Sequence, residues 1–272
     1  MISGGCKYRL FCSNPMISNS YLLSVVVGLY KLDTFSFLPH IPDNCVDLIF
    51  ADIPYFLSSG GITYSSGKKV CVDKGDWDKS RDIESVHNFN KKWLSESKRI
   101  LKVNGTIWVC GTFHNIFSVG FALQELEFKI LNNIVWEKEK PPPNITRRYF
   151  THASEHLIWA AKNKKSKHTF NYNILKTNGE TTKSVWRDIW KMPSVDYSEK
   201  VFGKHPTQKP EKVVKRAVLA SSNTGDLIFD PFCGSGTTGI VCKKQNRKFV
   251  GIDNNVDYLR IAKKRLEFHN KI

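Results

Sequence analysis

Apolar residues Val86, Phe89, Trp93, Ile100 and Leu101 recur at roughly helical spacing between Ser85 and Lys102, and Asn104-Gly105 follows as a stop. This predicts a surface helix. The run TIWVC, Thr106 to Cys110, is β-branched and aromatic and predicts a strand. FSVGFALQEL then reads as a helix and KILNNIVW as a second strand. The alternation returns near the C-terminus. Pro210 to Ser222 is helical with proline at its start, DLIFD is a strand, GTTGIVCKKQ is helical, KFVGID is a strand, and Asp257 to Phe268 is helical. Strand alternating with helix predicts an α/β fold, a mostly parallel sheet covered by helices on both faces.

Two segments break the pattern. Ser58 to Lys79 contains Gly60-Gly61, Ser65-Ser66-Gly67 and Lys68-Lys69 without helical periodicity, and reads as a long flexible loop. From Glu137 to about Lys204 the chain carries Pro141-Pro142-Pro143, Arg147-Arg148, many lysines, and Trp159, Trp186 and Trp190. It reads as an insertion partly outside the sheet. The expected organisation is one domain over residues 1–272, with a loop at about 58–79 and an insertion at about 137–204.

Composition narrows the function classes. Hydrophobic residues at 41% and charged residues at 24% are ordinary for a globular chain and argue against disorder. The excess of 41 Lys plus Arg over 25 Asp plus Glu, a net charge of +16, favours a polyanionic partner such as nucleic acid. A membrane reading is poorer, because the apolar stretch Tyr21 to Tyr30 is broken by Ser24 and Gly28 and falls short of the ~20 residues that a span needs. No signal peptide is evident. Seven scattered cysteines form no C-x-x-C pair, which suggests reduced thiols in a cytosolic protein and no metal site.

Two motifs carry chemistry. LIFDPFCGSGTTGIV ends a strand at Asp230, turns through Pro231, Phe232, Gly234, Ser235 and Gly236, and opens a helix at Thr237-Thr238 whose first amides are unpaired. FVGID ends a further strand at Asp253, where a βαβ nucleotide fold places an acid for ribose hydroxyls. A nucleotide-like cofactor fits this pairing. The other motif, Asp52-Ile53-Pro54-Tyr55, ends an apolar run and precedes small, flexible residues.

DIPY and DPFCGSGTT, with GKHPTQKP between them in the chain, resemble the S-adenosylmethionine-dependent amino-methyltransferases of DNA, whose signatures are D-P-P-Y and F-x-G-x-G. The motif order matches their β group. YFLSSGG, VDKGDWDK, RRYFTH and GKHPTQKP are further similar to the second, DpnA-like adenine methylases of GATC restriction–modification systems, which act on single-stranded as well as duplex DNA. The resemblance implies a Rossmann-like methyltransferase fold and S-adenosyl-L-methionine as methyl donor. It implies DNA, a cognate restriction endonuclease and a second copy of the chain as partners, and a cytoplasmic setting.

An adenine amine is a poor nucleophile because its lone pair is delocalised into the ring. The resemblance implies that the Asp52 carboxylate and a backbone carbonyl, that of Ile53 or Pro54, accept its hydrogens, and that Tyr55 stacks on an extruded base. Ile53 stands where the family has proline and is expected to loosen the loop. The resemblance also places Asp33 near the cofactor adenine, although an N-cap role remains open, and places Thr207 and Lys209 near the methionine end. Lys68, Lys69, Arg147 and Arg148 are expected to meet DNA. So are Lys164, Lys165, Lys167 and Arg187, with the KNKKSK turn open between a phosphate clamp and a solvated turn. Asp at the first motif position favours adenine over cytosine. The alternatives are N4-cytosine methylation and a catalytically silent DNA-binding subunit.

Overall fold

The computed structural model describes residues 8–10, 26–56, 62–65, 68–71, 82–141, 143–144, 147–177, 187–203 and 205–268. In chain order the strands are β1 (Tyr8–Leu10), β2 (Val27–Lys31), β3 (Val46–Asp52), β4 (Ile62–Ser65), β5 (Lys68–Cys71), β6 (Leu101–Gly111), β7 (Lys129–Lys138), β8 (Ser154–Ala161), β9 (Ile189–Met192), β10 (Leu227–Asp230) and β11 (Lys248–Asp253). The helices are α1 (Thr34–Phe37), α2 (Ile83–Ile100), α3 (Ile116–Glu125), α4 (Tyr172–Thr177), α5 (Glu211–Ser221), α6 (Thr237–Lys244) and α7 (Val256–Phe268).

Nine strands form one sheet in the order β1-β2-β11-β10-β3-β6-β8-β7-β9. Every pairing from β1 to β6 is parallel; β8 is antiparallel to both β6 and β7, and β9 runs parallel to β7. Side-chain alternation sorts residues between two cores. Ile49 and Ala51 of β3 join Trp93, Leu94, Val119 and Phe37 on one face. Leu48 and Phe50 join Val214, Val218, Ile240 and Leu259 on the other. A sheet buried on both faces explains why its central strands read as continuous apolar runs.

The expected elements reappear with local differences. Helix α2 begins at Ile83 because Asp82 caps it, accepting from the Ser85 amide at 2.8 Å. It ends at Ile100, and Asn104-Gly105 lies inside β6 rather than stopping the helix. The insertion is less peripheral than its composition suggests. Its apolar run Ser154–Ala161 enters the sheet between β6 and β7, and Trp159 stacks on Trp108 with ring centroids 5.0 Å apart and planes 4° apart. Trp190 packs beside them at 5.7 Å from Trp108. In the expected loop, β4 and β5 pair as an antiparallel hairpin that aligns Tyr64 with Lys69 and Ser65 with Lys68. The rest of 58–79, the Lys68 and Lys69 side chains, and Trp186 lie outside the described residues.

The parallel strands deliver Asp52, Asp230 and Asp253 to one edge, since each ends its strand there. The connection from β7 to β8, with exposed Arg147 and Arg148, emerges at the same edge, because Glu137 pairs with Ser154 and Gly111 with His156. The KNKKSK turn lies at the other end. Ser166 donates to the Val103 carbonyl at 2.6 Å and the Lys167 amide to Asn104 Oδ1 at 2.9 Å, whereas Cys110 is the residue level with Asp52. Six residues of strand separate those levels by roughly 20 Å. Lys164, Lys165 and Lys167 therefore form a solvated basic turn away from the site. Lys162 is tied into the fold, donating to Asn44 Oδ1 at 2.6 Å and to the Leu101 carbonyl at 2.5 Å.

Because Trp159 is 4% exposed and spans the join between insertion and sheet, Trp159→Ala is expected to lower the unfolding free energy by about 3–5 kcal/mol in urea titrations. A loss below about 1 kcal/mol, typical of surface sites, would show that the insertion only leans on the domain.

Candidate active site

Asp52 leaves the end of β3 into a buried cluster of charges. Its Oδ1 lies 2.7 Å from Lys209 Nζ and accepts from the Tyr55 hydroxyl at 3.0 Å. Lys209 also lies 3.3 Å from Glu155 Oε2 and donates to the Tyr55 oxygen. The Tyr55 hydroxyl stands 3.2 Å from the same Glu155 oxygen, and Lys138 Nζ holds Glu155 Oε1 at 2.6 Å. Two carboxylates thus face two ammonium groups. That balance is what allows charges to persist out of water.

Burial pushes the Asp52 carboxyl up, and Lys209 opposes that shift. Burial also acts to raise Glu155, but Lys209 and Lys138 override it and hold the carboxyl at about 2. For Lys209 burial disfavours the charge, yet Asp52 and Glu155 lift its affinity for the proton well above the usual lysine range. Tyr55 is raised by burial and by both carboxylates, so it is a neutral phenol.

Asp52 Oδ2 has no hydrogen-bond partner among the described residues, and Asp52 lines a cavity of about 310 Å³ at the strand ends. Pro54 lines the same cavity, but its carbonyl accepts from Asn115 Nδ2 at 2.9 Å. Of the two candidate carbonyls, that leaves Ile53 as the one Asn115 does not hold. Asn115 is fixed by Asn90, which donates to its Oδ1 at 2.6 Å. The Ile53 side chain is 2% exposed within the core. It anchors the loop that its departure from proline was expected to loosen.

The glycine turn borders this cavity. Gly234 adopts φ +47°, and a Cβ there would sit 2.8 Å from the His205 ring. Its amide donates to Asp253 Oδ2 at 2.9 Å, and the Asn255 amide to Asp253 Oδ1 at 2.8 Å, which leaves each carboxylate oxygen a further lone pair. Gly236 is the N-cap of α6 at φ +76°, and a Cβ there would meet Ala262 at 2.7 Å. Asp230 receives the Thr238 hydroxyl at 2.6 Å and the Phe232 amide at 3.0 Å, and burial pushes its carboxyl up to about 7. The Pro231 carbonyl accepts from Thr34 at 2.6 Å. Thr237 and Ser235 are fixed by Arg265 Nη1 at 3.0 and 3.1 Å. Asp33 is the N-cap of α1 and also lines the cavity, so both of its readings apply.

Two expectations change. Lys209 lines the cavity, but its ammonium sits on Asp52 rather than standing free for a ligand's methionine end. Thr207 does line the cavity, with its amide on His205 Nδ1 at 3.3 Å. Tyr55 is 5% exposed with its hydroxyl turned inward, so its ring is no open stacking face. Aromatic lining comes instead from Phe35, Phe50, Phe89 and Phe232. Glu155, Asn115, Phe35 and Phe89 escaped the sequence reading. In the sequence Phe89 reads only as one apolar position of the helix that follows Ser85.

Comparison with known proteins bears on this geometry. A family model described as DNA methylase matches residues 46–264. The Type II methyltransferase M2.DpnII of Streptococcus pneumoniae is 52% identical over 244 residues, covering 89% of this chain and 90% of that protein. M2.MboI of Moraxella bovis is 48% identical over 239 residues, covering 88% and 86%. Among solved structures, an M1.HpyAVI–SAM complex aligns with TM-score 0.65 at 27% identity, covering 88% of this chain and 98% of that one. The cytosine-N4-specific PvuII DNA methyltransferase aligns with TM-score 0.68 at 15% identity over 95% and 88%, a likeness of fold alone.

Gly234→Ala tests the turn. A side chain at positive φ costs about 1–3 kcal/mol and displaces His205, so calorimetry should show cofactor affinity weakened about tenfold or more with the circular dichroism spectrum kept. Unchanged affinity would remove the turn from the binding site.

Proposed function

The chain belongs to the DNA methylase family and is an S-adenosylmethionine-dependent DNA methyltransferase, and on that premise we propose that it methylates adenine N6 at GATC, in single strands as well as duplexes. The observation that carries the reading is Asp52 Oδ2, an acceptor without a protein partner among the described residues, at the wall of the cavity that the glycine turn borders.

The lining suits the methyl donor. Asp253 offers lone pairs to ribose hydroxyls, Phe35 and Phe232 offer faces to an adenine, and Asp33 lines the same cavity. When bound, S-adenosylmethionine supplies an electrophilic methyl group on a sulfonium. Asp52 Oδ2 and the Ile53 carbonyl accept the two hydrogens of the target amine and turn its lone pair out of the ring plane. Asn115 pins the loop through Pro54, so both acceptors keep their direction before the base arrives. Arg147 and Arg148 on the same edge, with Lys68 and Lys69 on the hairpin, neutralise phosphates, so binding weakens steeply with salt.

Asp at the head of the tetrapeptide supports adenine over cytosine. The Type II M2 relatives support a restriction–modification setting, with a cognate endonuclease, a second copy of this chain and a cytoplasmic location as parts of the same proposal. An unpaired target avoids the few kcal/mol of unstacking and unpairing.

The test is mass spectrometry of digested oligonucleotides after reaction with the full chain. N6-methyladenine is expected in single- and double-stranded GATC substrates, with little in a scrambled control. Methylcytosine would replace the adenine reading, equal methylation of the scrambled strand would refute the site, and strict dependence on duplex would refute single-strand activity.

A further inference from the structure

Tyr55 has one hydroxyl proton and two carboxylate oxygens within reach, Asp52 Oδ1 at 3.0 Å and Glu155 Oε2 at 3.2 Å. Lys209 is divided between the same two oxygens, at 2.7 and 3.3 Å. The carboxylates therefore compete for the single Tyr55 proton, and they share the three hydrogens and the one positive charge of Lys209. Lys138, 2.6 Å from the far oxygen of Glu155, sets how strongly that residue competes. Apart from the contact of Tyr55 with Asp52, three positions apart, the cluster is assembled from distant parts of the chain: Glu155 comes from β8, Lys209 from the segment before α5, and Asp52 from β3.

We propose that Glu155, held by Lys138, is a positioning residue for methyl transfer: by sharing Lys209 and Tyr55 with Asp52, it keeps Asp52 from being a fully satisfied ion pair and so leaves it able to hold the target amine. This rests on the reading that Asp52 accepts the amine hydrogens. A carboxylate whose charge is wholly taken up by one ammonium is a weaker acceptor for a further donor.

The other titratable groups facing the cluster do not replace these cations. Cys110, level with Asp52 on β6, is raised by burial and stays a thiol. Burial lowers His205 to about 4, leaving it neutral near pH 7, and raises Asp230 to about 7. Glu155 raises the Asp52 carboxyl through space, whereas Lys209 lowers it. Removing the Glu155 charge therefore makes Asp52 less basic. Removing Lys138 acts in the opposite direction, by withdrawing positive charge from the cluster.

The experiment is single-turnover methyl transfer by the full-length protein to a GATC duplex at saturating S-adenosylmethionine, followed across pH. For Glu155→Gln the plateau rate should fall about tenfold with cofactor and DNA affinities within about threefold. Its acidic limb should move to lower pH by about half a unit or more. Lys138→Met should move the limb to higher pH, which keeps the idea testable if the Glu155 variant does not fold. Glu155→Asp, which keeps the charge, should retain a rate within about threefold of the parent. A parental rate and limb in Glu155→Gln would overturn the proposal, as would a loss confined to affinity or limbs that move the same way in Glu155→Gln and Lys138→Met. Asp52→Ala separates the premise: turnover retained there refutes the role of Asp52 itself, whatever the Glu155 variants do.

Discussion

A carboxylate that must accept hydrogens from a weakly nucleophilic amine has to be ionised and dry at once, and those demands conflict. Taking an anion out of water is costly unless a cation accompanies it. In this protein Lys209 accompanies Asp52 at 2.7 Å, and both sit with Tyr55 and Glu155 in one buried cluster. The pairing engages one Asp52 oxygen and leaves the other without a partner among the described residues, on a residue that lines the cavity. Much of the surrounding architecture can be read as what this arrangement requires: a strand to carry Asp52, an insertion strand to carry Glu155, and a turn to bring Lys209 back across the strand ends.

The parallel sheet supplies the geometry for little additional cost. Strands running one way end at one edge, so Asp52, Asp230 and Asp253 converge without any contact between them being needed to set their places. Two apolar faces hold that edge rigid. The antiparallel β8, with Trp159 stacked on Trp108, then makes the insertion part of the same rigid body. Glu155 is consequently positioned by the core rather than by a mobile loop.

Local chemistry was legible in the sequence and remote pairing was not. Asp52, the glycine turn and Asp253 each end an apolar run, and the need for positive φ at Gly234 follows from a tight turn, so short windows identify them. Lys209 meets Tyr55 across 154 positions, and Tyr55 meets Glu155 across 100. No periodicity encodes such contacts, and a lysine in a polar segment looks solvated. The lysine-rich composition of the insertion likewise hid its strand, although Ser154–Ala161 is as apolar as its neighbours. Asn104-Gly105 misled in the other direction, since the helix ends before it, at Ile100, and the pair lies within β6 where its register with β3 shifts.

Lys209→Met tests whether Lys209 serves Asp52 and keeps it ionised. Single-turnover methyl transfer is measured against pH beside calorimetric titration of S-adenosylmethionine, with circular dichroism to verify the fold. Without the ammonium, burial and Glu155 both raise the Asp52 carboxyl. The rate near neutral pH should then fall by about a hundredfold or more and recover as pH rises, with cofactor affinity within a few fold. An unchanged pH profile together with lost cofactor affinity would contradict the account and return Lys209 to the methionine end of the cofactor.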